Sequence, residues 1–557
     1  MAMTDTTTTH EIASDASDSS APATRASLIP GYGGVAGVLG TGDHKTLGRL
    51  YVGFSLLFGL VAFATMGVFE LSINPDGAVV DADKAFSAFT LGQLSLVFLF
   101  LVPLLLGLAT AIVPLQVGAN TIAFPRAAAA AFWLWLLGSA GVLTGYAING
   151  SLGNGGDLDA QALTLLALAG TVIALILATI CVATTVIAFR PAGMSLDRVP
   201  LFSWSMLVAA GVWLLTLPVF LGNIALIFID VKSGTANGFG VGYNQWAQLS
   251  WIVTQPQVFA YAIPALGIVG DIVATFAKVR VPQRGILLGA IGAFGALSFG
   301  AYAQTAYNPE AHRQWLYAGQ GVLIILPLLA VLGGIATAIR KGTPKVKGPV
   351  VLGLVALVLL LLGAAAGAPF GTGRLGLQAT PKALAAGSQP LRAASSGAPV
   401  FTWGITLIVI IAAATAALAG LFYWAPKLTG RRLSDAAANL VAVLGLAGAV
   451  VAGAPFLVVA FVTKQASLAD SANGMYVIAV AGLGIAALAV LLSFALFAQS
   501  RAVTISSGEG TDADAWGLGQ SLEWAADSPP VPGNFGEIAP VTSPEPLLDV
   551  ATPEGED

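Results

Sequence analysis

Long apolar runs alternate with short polar connectors along most of the chain. Twelve runs reach the roughly 20 residues that an α-helix needs to cross the hydrocarbon of a bilayer: 47–70, 92–117, 130–149, 161–189, 200–229, 247–276, 286–307, 316–339, 349–368, 400–423, 438–462 and 474–498. Pro and Gly fall inside several of them, which membrane helices tolerate when neighbours satisfy the freed backbone groups. Ala and Gly dominate the runs, and small residues let helix backbones approach closely in lipid. The pattern predicts an all-α, polytopic membrane protein, with one twelve-helix bundle over 41–500 and a polar tail on either side.

The tails read differently from the bundle. Residues 1–40 are rich in Ser, Thr and Ala, and no basic stretch precedes a short apolar core, so no cleaved signal peptide is expected. Residues 501–557 hold eleven acidic side chains from Glu509 to Asp557, several prolines, and no Lys or Arg after Arg501. Such segments bury too little apolar surface to offset their ordering entropy, so both tails are expected to be disordered, with a docking peptide as the alternative for the acidic one. Twelve crossings put both termini on one side. That side carries 17 of the Lys and Arg residues and the other side 7, together the 24 in the chain. By the positive-inside rule both termini are cytoplasmic, in a multi-pass protein of the cell membrane in contact with its lipids.

Composition narrows the chemistry. Of the 557 residues 56% are apolar and 9% charged, against about 25% charged in a soluble domain. A net charge of -4 without a basic tract speaks against a nucleic-acid partner. With one cysteine, Cys181, and three histidines, His10, His44 and His312, neither a disulfide framework nor a thiolate zinc site can be built. Cys181 has no histidine or carboxylate near it in sequence and reads as a small buried apolar residue. His10 falls in a tail, and His44 and His312 at membrane edges, where they read as surface or interfacial. No Asp, Glu, Lys or Arg falls deep in a run, and Glu70, Asp230 and Asp271 sit near ends. Pumps and ion-coupled transporters place ionisable groups at depth, so both classes are disfavoured. The amides and hydroxyls in the runs, among them Gln93, Asn223, Thr254, Gln255, Gln257, Gln304 and Gln320, are expected to hold helices together.

Four stretches, in order, resemble subunit I of the heme-copper oxidases, the cytochrome c oxidase family. Asp43-His44-Lys45 with Gly48 and Tyr51 is similar to its opening motif. Val113-Pro114-Leu115, Gly118-Ala119, Ala123-Phe124-Pro125-Arg126 and Phe132-Trp133-Leu134 resemble its turn between the second and third helices. Arg190 to Trp204 (RPAGMSLDRVPLFSW) resembles the head of its fifth helix, and Ala419-Gly420, Tyr423-Trp424 and Pro426 to Arg431 the end of its tenth. The resemblance implies a twelve-helix subunit I-like bundle in a respiratory membrane, with other oxidase subunits as partners. It also implies six histidines for two hemes and one copper, imidazole being a good ligand for both metals.

Carried onto this sequence, the six ligand positions fall on Gly92, Gln255, Ala301, Tyr302, Gly404 and Thr406. The family's proton-delivering glutamate falls on Gln257 and its cross-linked tyrosine on Phe259. The mouth of its main proton channel falls on Thr121, the lysine of its second channel on Val331, and its propionate-holding arginine pair near Phe456 and Leu457. The expectation is therefore a subunit I homologue without heme, copper or other cofactor, with no catalytic residue and no metal site, serving as a structural, assembly or regulatory component. A second reading keeps the space vacated by the hemes for a lipid, quinone or other small ligand, lined by Gln255, Gln257, Phe259, Tyr302 and Gln304. An active terminal oxidase with an unusual ligand set is the third reading and the least supported by the residues present.

Overall fold

The computed structural model describes residues 35–73, 78–233, 243–304, 306–308, 310–311, 314–372, 375, 397–462, 472–502 and 513–551. The chain divides into two compact units, Met1–Thr41 and Gly42–Asp557. In the first, a short helix spans Val35–Leu39; residues 1–34 and His10 lie outside the described residues, as does His312.

The second unit is helical throughout its described residues. Eleven helices are long and apolar enough to cross a membrane: α1 (His44–Ser72), α2 (Ala82–Gln116), α3 (Pro125–Ala147), α4 (Leu158–Ala188), α5 (Leu201–Ser233), α6 (Gln257–Ala277), then, after a shorter apolar helix α7 (Arg284–Leu297), α8 (Trp315–Lys341), α9 (Gly348–Gly371), α10 (Pro399–Thr429), α11 (Asp435–Val462) and α12 (Asn473–Ser500). The twelve expected runs thus each correspond to a helix, with α7 ending at Leu297 where the apolar run was expected to continue to residue 307.

Local chemistry sets the ends. Asp43, Asp81 and Asp157 each stand at an N-cap, their carboxylates accepting the N–H of Thr46, Lys84 and Ala160, groups that would otherwise lack a partner in the first turn. Pro125 opens α3, where its missing N–H costs nothing. Gly118, at φ 67, reverses the chain after α2 in a left-handed conformation that a side chain disfavours. Inside α2 the ladder loosens into a π-helical stretch, Ser95–Leu101. Pro103 cannot donate back to this stretch, and the Trp135 indole N–H instead donates to Phe98 O at 3.0 Å.

Three helices occupy the interior. The most apolar windows of α2, α6 and α10 are each 100% buried, whereas those of the outer helices are 39–56% buried and leave large apolar side chains such as Leu137, Leu166 and Leu215 on the outer surface. Around the interior, α1 packs on α2 and α12, α3 on α4, α4 on α5, α5 on α6, α9 on α10, α10 on α11 and α11 on α12.

The C-terminal tail departs from expectation. Its described part, 513–551, is not disordered; it lies across the end of the bundle where α1, α5 and α7 begin and α2, α6 and α10 end. Trp524 is 1% exposed; its ring meets that of Tyr423 at 5.1 Å, and its N–H donates to the Tyr423 hydroxyl at 2.9 Å. The Lys427 ammonium, over the Trp524 ring at 5.0 Å, donates to the carbonyls of Ala513 and Ala526, both at 2.6 Å. Glu545 and Asp549 face Arg280 at 3.7 and 2.5 Å. Average composition concealed a few apolar anchors, Leu522, Trp524 and Ala526, and acidic residues matched to the bundle's basic end. Trp524→Ala should cost about 3–5 kcal/mol of tail docking, the usual loss for a buried Trp, read as faster hydrogen exchange across 513–551 with the exchange of α2 and α10 unchanged.

Candidate functional site

The six positions marked by the resemblance lie on or beside the inner helices, and each has a close neighbour. Gly92, on α2, faces α1: a Cβ there would stand 2.4 Å from Met66 Sδ and 2.7 Å from Met66 Cγ. Gly404, on α10, faces α11: a Cβ there would stand 2.8 Å from Gly453 O, 3.0 Å from a Leu457 methyl and 3.1 Å from Phe456 Cβ. Thr406 Oγ1 donates to Val253 O at 2.9 Å. Between the two glycines the rings of Phe89 and Trp403 meet at 5.9 Å, and Phe89 also packs on Phe69 and Trp246. The side chains next to Gly92 and Gly404 are thus thioether, hydroxyl, aliphatic and aromatic, Thr65 Oγ1 standing 3.2 Å from a Cβ at Gly92.

Gln255, Ala301 and Tyr302 border a second region, between α6 and the segment after α7. Gln255 Nε2 donates weakly to Gly367 O at 3.4 Å, while its Oε1 is buried without a hydrogen bond. The Gln257 amide ties the segment to α5: its Nε2 donates to Thr216 Oγ1 at 3.1 Å, and its Oε1 accepts the N–H of Gly300 at 3.0 Å. The Tyr302 hydroxyl donates to Gln320 Oε1. Gln304 Oε1 accepts from Asn223 at 2.8 Å, and its Nε2 donates to Ala301 O at 2.7 Å. These amides and the hydroxyl join neighbouring segments, as expected of polar groups in a membrane interior.

Of the five residues expected to line a vacated space, Gln255 and Phe259 share a pocket with Pro256, Tyr317, Gln320, Gly321 and Ile324. Gln257, Tyr302 and Gln304 instead belong to the adjoining hydrogen-bond network. The pocket measures about 10 Å³, the scale of a single water and far below the roughly 300 Å³ at which small-molecule sites begin.

Gly92, Ala301 and Gly404 carry no donor atom, Thr406 is committed to a backbone carbonyl, and among the described residues no three His, Cys, Asp or Glu side chains gather. A heme held axially between α2 and α10 does not fit the residues at these positions.

His44 corrects an expectation. It is 1% exposed rather than interfacial. Its Nδ1 donates to Thr110 O at 3.1 Å, and its Nε2 accepts from Asn534 Nδ2 at 2.9 Å, roles assigned from the partners. Asn534 also donates to Ala119 O at 2.8 Å and accepts from Lys45 at 3.0 Å. Cys181 is buried, as its apolar surroundings in sequence suggested.

One further cluster has no local signature in the sequence. Asp271 is 8% exposed on α6 and accepts the N–H groups of Leu201 and Phe202, the first residues of α5, at 2.9 and 3.0 Å. A carboxylate suits a helix N-terminus, where N–H groups lack partners and the dipole is positive. Gln116 joins it to Glu523 of the tail. Two tryptophans, Trp516 and Trp524, in an otherwise acidic, proline-containing segment were the signal that the tail docks.

The profile of the family described as "Cytochrome C and Quinol oxidase polypeptide I" matches residues 46–375, more than half of the chain. The chain belongs to this family. Among its relatives are the probable cytochrome c oxidase subunit 1-beta of Nocardia farcinica, 27% identical over 92% of this chain and 88% of that one, and cytochrome c oxidase subunit 1 of Bacillus subtilis, 27% identical over 94% and 83%. A cryo-EM structure of a heme-copper terminal oxidase dimer shares the fold, with a TM-score of 0.60 over 83% of this chain and 84% of that one at 14% identity.

In this subunit I family member, Gly92→His brings its Cβ against the Met66 thioether, which must shift to admit it. The substitution should lower stability by about 1–3 kcal/mol, the range for overpacking, and Met66→Ala in the same chain should recover part of the loss. Thermal unfolding in detergent checks both.

Proposed function

We propose that this chain is a subunit I-like component of a respiratory complex in the cell membrane that carries neither heme nor copper and contributes structurally, in assembly or in regulation, rather than by oxygen chemistry. The observation that carries this reading is the pair of close approaches at Gly92 and Gly404, where Met66 on one side and Gly453, Leu457 and Phe456 on the other stand within reach of any added side chain. The resemblance implies an axial imidazole on a low-spin heme at this position, and an imidazole at Gly92 would have to displace the Met66 thioether. Phe456 and Leu457, where the resemblance places the propionate-holding arginines, supply no charge.

The partners in this reading are the other subunits of an oxidase and the surrounding lipid. The bundle with its docked tail is the part that would meet them. Both termini lie in the cytoplasm, because the basic residues Arg280, Arg284, Lys427, Arg431 and Arg432 share the end of the bundle on which the tail lies. The reading in which the heme space holds a lipid or quinone draws no support from the pocket at Gln255 and Phe259, which is too small for either.

Two measurements test the proposal. The chain purified free of other subunits should contain iron and copper well below one per polypeptide and give no reduced-minus-oxidised heme bands. Stoichiometric metal with those bands would sink it. A membrane-impermeant thiol reagent applied to intact cells should leave a cysteine introduced at Gly536 unlabelled until the membrane is opened, and labelling beforehand would reverse the orientation.

A further inference from the structure

One side-chain amide at the end of α2 holds two carboxyl groups. Gln116 Nε2 donates to Asp271 Oδ2 at 3.0 Å and to Glu523 Oε1 at 3.1 Å, while Gln116 Oε1 accepts from Ser203 at 2.7 Å. Gln116 and Glu523 are fully buried. Asp271 has two backbone N–H donors besides Gln116. Glu523 has a long contact from Trp424 Nε1 at 3.4 Å and weaker support from Ser521 and its own backbone N–H, and its Oε2 is buried without a hydrogen bond.

Two cations act on the pair from a distance. Neither carboxyl forms an ion pair with a Lys, Arg or His among the described residues. Lys427, on α10, donates to carbonyls of the tail and is attracted by Glu523 as well as by Asp514 and Asp527 of the tail, and Arg284 is attracted by Asp271. Arg284, on α7, donates to the carbonyls of Asp197 and Val199 and faces Glu545 at 3.9 Å. The Tyr423 hydroxyl shares a hydrogen bond with Thr275 and accepts from Trp524. Two negative charges bridged by one neutral amide in a dry interior are unfavourable, and such a pair holds its protons jointly.

We propose that Asp271, Gln116 and Glu523 form a proton-binding site that keeps one proton while the tail is docked, and that loss of this proton to water releases residues 513–551 from the bundle. In the docked state the acid O–H belongs to the pair; when it breaks, the proton leaves to solvent and the second carboxylate charge drives Glu523 outward, where water solvates it. Burial pushes the Glu523 carboxyl above its ordinary range, and the Gln116 hydrogen bond opposes this only in part. Because the docked group titrates above the released one, docking is strongest at low pH and is lost as pH rises through the docked value. One proton limits the effect to about tenfold in the docking equilibrium per pH unit. The inference rests on the tail's contacts and does not depend on the presence or absence of heme.

Hydrogen exchange of the full-length protein in lipid nanodiscs, corrected for intrinsic amide rates, reads the docking of 513–551 between about pH 5 and about pH 8, above the ordinary glutamate value of about 4.3. Protection of the tail should fall with rising pH, while that of α2 and α10 stays constant. Glu523→Gln should keep the tail protected throughout. Asp271→Asn, which keeps one of the two oxygens that accept from Leu201 and Phe202, should flatten the profile in the same way and serves if the first variant does not fold. Loss of the Lys427 charge would also free the tail; because Glu523 acts on Lys427, Lys427→Met serves as the control, and its profile should keep its slope. A flat profile in the unaltered protein, or an unchanged slope in a folded Glu523→Gln or Asp271→Asn variant, overturns the proposal.

Discussion

The approach of helix backbones at small residues is the constraint on which the rest of the structure depends. In lipid there is no hydrophobic gain from bringing two apolar helices together, so packing contacts and interhelical hydrogen bonds must hold the bundle. At Gly404 and Gly453 the two glycines meet reciprocally, each with the other's carbonyl at the position of a missing side chain, 2.8 and 2.9 Å from a constructed Cβ. Gly92 admits Met66 in the same way. These contacts place α10 against α11 and α2 against α1.

The same economy of polar groups explains the amides. A side chain such as Gln257 or Asn223 in an apolar interior loses free energy unless its donors and acceptors are matched, and both are tied to neighbouring segments. Most of the charge lies toward the ends of helices, where Asp271, Lys427 and Lys45 cap or dock, while Glu70 of α1 is buried without a hydrogen bond. Asp271 receives the opening N–H groups of α5, Lys427 receives the tail's carbonyls, and Asn534 closes a network over His44, Lys45 and Ala119. The described part of the tail is therefore part of the folded unit, and the end of the bundle that it covers is polar and buried.

How legible this was depended on the kind of feature. Helices such as α4 and α10 could be read from apolar length alone, because the bilayer fixes how long a crossing must be. The turn at Gly118 and the end of α10 at Gly430 could be read from motifs, since a left-handed φ favours glycine. The end of α7 at Leu297 could not be, because the apolar run continues past the point where the backbone leaves the helix. His44 looked interfacial since it opens a span, and it is buried only because a residue 490 positions later covers it.

By itself the sequence determined the membrane setting, the number of helices and the family, since each follows from run length or from a local motif. It also determined that histidine is missing at the positions the resemblance marks. Tertiary structure alone decided what stands there instead, because Met66 and Gly453 reach Gly92 and Gly404 through contacts between different helices. It alone decided that the acidic tail, whose two tryptophans hint at docking but not where, brings Glu523 against Asp271. Contacts of such long sequence separation leave no local periodicity, and only the packed bundle brings them together.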